Sequence, residues 1–136
     1  MINMKKIFGV FIVTATALLV SAFNHTGNSE NFGNYDSISE LDIPDNIQGI
    51  LDNSCWGCHN SESNNTKAKM KLKFDKLNGL KVSKQVSKLN KIVKELNKGD
   101  MPPEKSVAKY PDMALTPEAK AELIEWAKAT SEELMK

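Results

Sequence analysis

Apolar residues divide this chain into stretches of different character. Ile7 to Val20 is an almost unbroken apolar run. Phe23 to Glu40 (FNHTGNSENFGNYDSISE) is rich in Asn, Ser and Gly and has no apolar period. Ile47, Leu51, Cys55 and Cys58 then recur at steps of four, four and three, which puts them on one face of a helix. Asp42-Ile43-Pro44 before them suits a helix start, since proline is tolerated in a first turn. The spacing therefore predicts a first helix that carries its apolar stripe into Cys55 and Cys58. Met70, Leu72 and Phe74 alternate with lysine in MKLKFDKLNGL. That predicts a short strand or an irregular segment, ended by the Asn78-Gly79 turn.

A second helix is predicted from Ser83 as cap to Gly99 as stop, with Val86, Leu89, Ile92, Val93 and Leu96 along one side. Its other side is lysine: Lys84, Lys88, Lys91, Lys94 and Lys98. Such a row is ordinarily a solvated face. Asp100 to Asp112 (DMPPEKSVAKYPD) reads as a loop, because its three prolines oppose regular structure. Thr116-Pro117 opens the last helix as N-cap and first residue, and Ala119, Leu123, Trp126, Ala127 and Leu134 share a face. The expected architecture is all-α, about three helices with long loops and very little strand.

The N-terminus reads as a targeting segment. Lys5 and Lys6 precede the apolar run, and Val20-Ser21-Ala22 places small residues where a signal peptidase cuts. The expected organisation is a signal peptide at 1–22, a flexible linker at 23–40 and one folded domain at 41–136. The alternative is an uncleaved membrane anchor through residues 7–23. Either way the domain is periplasmic or otherwise exported.

The chain has 136 residues, and its 18 cations are all lysine against 17 acids. The near balance hides a split. Phe23 to Glu62 holds seven acids and no lysine, whereas Lys67 to Lys98 holds eleven lysines against Asp75 and Glu95, a net of +9. Large core side chains are few: Trp56, Phe74, Tyr110, Trp126 and a modest set of Leu, Ile and Val. A domain this small with long loops usually needs a disulfide, a metal or a cofactor.

Residues 55–59 read CWGCH. They hold both cysteines of the chain and one of its two histidines; the other, His25, lies in the linker. A Cys55–Cys58 disulfide closes too small a loop to hold much together. A thioredoxin-like C-x-x-C follows a strand in a βαβ pattern, which is missing here. A structural zinc site needs four ligands, and the spare histidine is in the linker. C-x-x-C-H is the attachment signature of c-type haem. Thiols three apart on a helix reach one porphyrin edge, and the next residue, His59, comes beneath the ring to bond iron through Nε2. A haem also supplies the apolar volume the core lacks. Among Met70, Met101, Met113 and Met135, the candidate sixth ligand is Met101, set in GDMPP between a helix stop and two stiffening prolines. Met70 and Met113 read as packing, and Met135 lies near a frayed end.

With CWGCH, the Met101-Pro102-Pro103 loop and LTPEAKAELIEWAK at 115–128, the chain resembles the class I c-type cytochromes. More narrowly, it is similar to small exported haem-binding-domain proteins. The resemblance covers about residues 43–130. It implies an all-α fold around one covalent haem c, iron held by His59 and Met101, and single-electron transfer. It also implies that Leu123, Ile124 and Trp126 pack the last helix on the first. The chain departs from the class I pattern in having Ile47 eight residues before the first cysteine, where glycine is usual. It has Leu51 four before that cysteine, where an aromatic is common, and it lacks the Gly-Pro that often supports the histidine.

The function expected is that of a carrier, not an enzyme: a monohaem cytochrome serving redox partner proteins with an acidic docking surface. Lys84, Lys88, Lys91 and Lys94 would steer such a partner. Nucleic acid is not an expected partner, and the membrane is one only if residues 7–23 remain attached. The alternative is a haem-based ligand sensor with an open or labile sixth position. A peroxidase-like enzyme has least support, since no second histidine or arginine stands near the domain.

Overall fold

The computed structural model describes residues 38–136. The expected signal segment, most of the linker and His25 lie outside that range. Five α-helices follow in order: α1 Asp45–Ser54, α2 Thr66–Lys71, α3 Val82–Lys98, α4 Glu104–Lys109 and α5 Pro117–Glu133. Two 3-10 turns, Phe74–Gly79 and Pro111–Met113, fall between them. The fold is all-α: among the described residues the only β pairing is an isolated bridge between Ile38 and Lys81.

The two long helices form where local signals agree. α5 starts at Thr116, whose hydroxyl accepts from the Ala119 N–H at 3.1 Å, with Pro117 in the first turn. α3 stops at Gly99, which takes the left-handed conformation (φ 77°) and donates its N–H back to the helix end. α3 begins one residue before the expected cap, however. Lys81 stands at the N-cap position without a side-chain capping bond to the helix, and Ser83 lies inside the first turn.

α3 and α5 pack together, and α1 lies against α5. The core joins Ile47 and Leu51 of α1 to Leu89, Ile92 and Leu96 of α3 and Leu123, Trp126 and Ala127 of α5. α3 buries Val82, Gln85, Leu89, Ile92 and Leu96, so the polar Gln85 takes a core place while Val86 and Val93 are half-buried. Gln85 is fully buried; its Nε2 donates to the Ser39 carbonyl at 2.6 Å and the Leu77 carbonyl at 3.2 Å, while its Oε1 has no partner among the described residues. The Leu41 N–H donates to Asn78 Oδ1 at 3.1 Å. Ile38 and Ser39, at the end of the expected linker, are thus tied to the domain.

Three local expectations change. α1 ends at Ser54, so CWGCH follows the helix instead of lying within it. The Trp56 N–H reaches the Leu51 carbonyl, five residues back, alongside the Cys55 N–H. That widened turn breaks the helical register, and Gly57 does not favour restoring it. Residues 66–71 form a helix, not a strand: Asn65 Oδ1 caps it by accepting from the Ala68 N–H, and Leu72 is the first extended residue. The predicted loop holds α4, whose six residues lie between Pro103 and Pro111, so no proline interrupts it.

Candidate functional site

The turn after α1 keeps Cys55, Cys58 and His59 together without a helix. The N–H groups of Cys58 and His59 both donate to the Cys55 carbonyl, at 3.1 and 3.0 Å. The i to i+3 and i+4 relations of one helical turn survive, and with them the clustering that the spacing predicts. Both cysteines are half-buried free thiols. Burial, with a smaller contribution from Cys58 beside it, pushes the Cys55 pKa up to about 12. Cys55 is therefore a thiol, not a thiolate, at neutral pH.

His59 is gripped at ring and backbone. Its Nδ1 lies 3.3 Å from the Leu72 carbonyl oxygen, and its own carbonyl accepts from the Phe74 N–H at 2.9 Å. The Phe74 ring meets the imidazole edge-on at 6.4 Å and stacks with Trp56 at 6.5 Å. With the proton on Nδ1 and donated to Leu72, Nε2 keeps its lone pair. Burial holds the His59 pKa below the ordinary 6.5; hydrogen bonds to the Leu72 and Ala68 carbonyls oppose this, and the Lys71 charge adds to it. Neutral imidazole is the form that can ligate a metal.

These side chains line a cavity of about 710 Å³, within the roughly 300–1,000 Å³ range of small-molecule sites. Met101, carried just beyond the Gly99 stop of α3, lines the same cavity. Cys55, Cys58, His59 and Met101, 46 residues apart at the extremes, thus meet at one place. Leu72, Phe74, Ile92, Leu96, Leu115 and Leu123 supply apolar wall. An open-sided cavity with apolar walls, two thiols, a neutral imidazole and a thioether fits a flat, largely apolar group with an iron centre.

Sequence reasoning missed part of the lining. Met113 is half-buried at the cavity, and Met70 contributes to its wall while staying 78% exposed, so Met70 does not pack in the core. Met135 is 43% exposed near the chain end. Lys88, Lys91 and Lys94 line the cavity from α3, joined by Lys67 and Lys71 from α2. The lysine row is therefore more than a solvated face. Among the described residues none of these five is ion-paired. The signal for α2 was available in Asn65 and in the Lys67–Lys71 spacing of four, but the alternation of Met70, Leu72 and Phe74 masked it.

Lys88 differs from its neighbours. It is half-buried, and its ammonium donates to the Lys71 carbonyl. Burial first, then the charges of Lys91 and Lys84, lower its pKa from 10.5.

Residues 63–129 match the family model of the haem-binding domain. The match takes in Met101, the cavity-lining part of α3 and most of α5, and begins just beyond His59. No curated protein and no solved structure matches the chain.

Proposed function

We propose, on the match of residues 63–129 to the family model of the haem-binding domain, that the chain is a monohaem c-type cytochrome moving single electrons outside the cytoplasm. The meeting of Cys55, Cys58, His59 and Met101 at one cavity carries this reading. Cys55 and Cys58 would hold the haem through thioether bonds, which would leave neither thiol for a disulfide.

Bound haem supplies a one-electron change between ferric and ferrous iron. His59 would hold the iron through Nε2, since Nδ1 is engaged by the Leu72 carbonyl. Met101 offers a thioether from a loop stiffened by Pro102 and Pro103, and that donor favours the ferrous state. The apolar part of the wall would cover part of the group, which would lower the reorganisation accompanying a change of charge. No side chain here is assigned bond chemistry on a substrate, so the protein is read as a carrier, not an enzyme.

The unpaired lysines at the cavity support two further parts of the reading. They offset the haem's own carboxylates, and they steer a redox partner with an acidic docking surface. A rate of partner reduction that falls steeply with added salt is the expected behaviour. Export rests on Lys5, Lys6, the Ile7–Val20 run and the Val20-Ser21-Ala22 site. Cell fractionation with N-terminal sequencing separates cleavage after Ala22 from an anchor through residues 7–23.

The test is an absorption spectrum of the protein made with a cytochrome c maturation system, beside Met101→Ala and Met113→Ala variants. A haem that survives denaturation on the chain, with a far-red methionine–iron band lost only in Met101→Ala, is the expected result. Haem released by denaturant would overturn covalent attachment. A high-spin spectrum unchanged by Met101→Ala, with rapid carbon monoxide binding, would turn the reading to a ligand sensor.

A further inference from the structure

We propose that Lys88 is a positioning residue for His59, acting through the peptide segment Lys71–Phe74. The inference rests on the reading of His59 as the iron ligand, and it adds a residue on a different helix to that site.

The geometry is a relay of three bonds. The Lys71 carbonyl accepts from Lys88 Nζ of α3. The next carbonyl, that of Leu72, accepts from His59 Nδ1 at 3.3 Å. Two residues on, the Phe74 N–H donates to the His59 carbonyl at 2.9 Å. Leu72 is extended, at φ −152° and ψ 139°. The helix ends at Lys71 and the chain turns extended at Leu72, and the two neighbouring carbonyls take different partners, Lys88 of α3 and His59.

The relay matters because α2 has little else to seat it. A six-residue helix is not stable by itself, and α2 buries no residue. Polar ties fix it instead. Lys69 Nζ donates to the Ser61 carbonyl at 3.4 Å, and Leu72 receives His59. Both of those ties lead back to the segment that carries the cysteines. Lys88 is the tie that leads to α3, and so to the packed α3–α5 pair. The position of Lys88 also opposes simple solvation. Lys84 and Lys91 flank it one turn away on either side, and its ammonium is drawn toward the protein despite them.

The consequence is a differential effect on the iron. A hydrogen bond at Nδ1 raises the basicity of the ligating imidazole, so loosening it raises the reduction potential. Loss of a nearby positive charge lowers the potential. Lys88→Met does both, whereas Lys91→Met only removes charge.

The experiment compares Lys88→Met, Lys91→Met and Lys88→Arg in the haem-loaded ferrous protein. It reads the reduction potential and, by proton–nitrogen NMR, solvent exchange of the His59 Nδ1 and Phe74 N–H protons. In Lys88→Met both protons exchange about tenfold faster while the Leu123 amide is unchanged, and the potential lies above that of Lys91→Met. Lys91→Met leaves the exchange unchanged, and Lys88→Arg restores it. Equal potentials and unchanged exchange in the two Met variants would make Lys88 an ordinary surface charge and overturn the proposal. A uniform rise in exchange, Leu123 included, would also overturn it, since the effect would then be general destabilisation. If the wild-type chain takes up no haem, the haem reading fails. The Phe74 amide in the chain as purified still decides whether Lys88 holds the segment.

Discussion

Trp126 Nε1 donates to the Asp42 carbonyl at 3.1 Å, joining the last helix to the segment that enters the first across 84 residues. The indole body is buried in the core while its polar edge finds a backbone partner, as a buried tryptophan requires. Ile47, 3% exposed, and Trp126 belong to the same core, in which α1 lies against α5.

Trp126→Phe keeps most of the ring and deletes the donor. It should lower stability by about 1 kcal/mol, the worth of a single hydrogen bond. Trp126→Ala should cost about 3–5 kcal/mol through lost apolar burial and a cavity. Urea unfolding of the two variants separates the contributions. A Phe variant as stable as the parent would remove the Asp42 bond from the account.

Gly99 predicts a different kind of loss. Its φ of 77° lies in the left-handed region, and an added Cβ would meet nothing within 4 Å. The penalty for Gly99→Ala is thus backbone strain alone, about 1–2 kcal/mol. Because Met101 is two residues on, the same variant should weaken the far-red band that the proposed His59/Met101 ligation would give. Thermal unfolding and the far-red band read the two effects on one sample.

Cys55 should resist alkylation in chain made without haem attachment. A pKa pushed up to about 12 leaves very little thiolate at pH 8. Iodoacetamide labelling followed by peptide mass analysis should show Cys55 modified slowly when folded and rapidly in urea. The folded rate should climb with pH toward 12. Equal rates in both states would contradict the burial that raises the pKa.

The haem-free chain should also lose stability in mild acid. Burial lowers the His59 pKa in the folded state, so between that value and the unfolded 6.5 the unfolded chain binds more protons. The stabilising contribution of neutral His59 is fully present above 6.5 and is lost as pH falls through the folded value. Urea midpoints from pH 8 to 5 should decline for the parent and decline less for His59→Phe. Parallel curves would assign the acid sensitivity to the carboxylates.

Much of this protein was legible in short-range patterns. Gly99 and Thr116 mark the ends of α3 and α5, because a left-handed stop and a hydroxyl cap act on their own backbone neighbours. CWGCH gathers Cys55, Cys58 and His59 for the same reason: the three lie within one turn. Residues 1–22 and 23–40 were read from composition and lie largely outside the described range. Tertiary structure decided what depends on distant partners. α1 stops at Ser54 although its apolar spacing runs on to Cys58, since periodicity records which face is apolar and not where backbone bonds change register. Alternation in MKLKF suggested a strand or an irregular segment, but among the described residues no strand lies beside it, and Met70 and Lys71 end a local helix instead. No pattern within the sequence could select Leu72 as the acceptor for His59, or turn Lys88 toward the Lys71 carbonyl. Those bonds join residues 13 and 17 positions apart, and only the folded backbone brings them within reach.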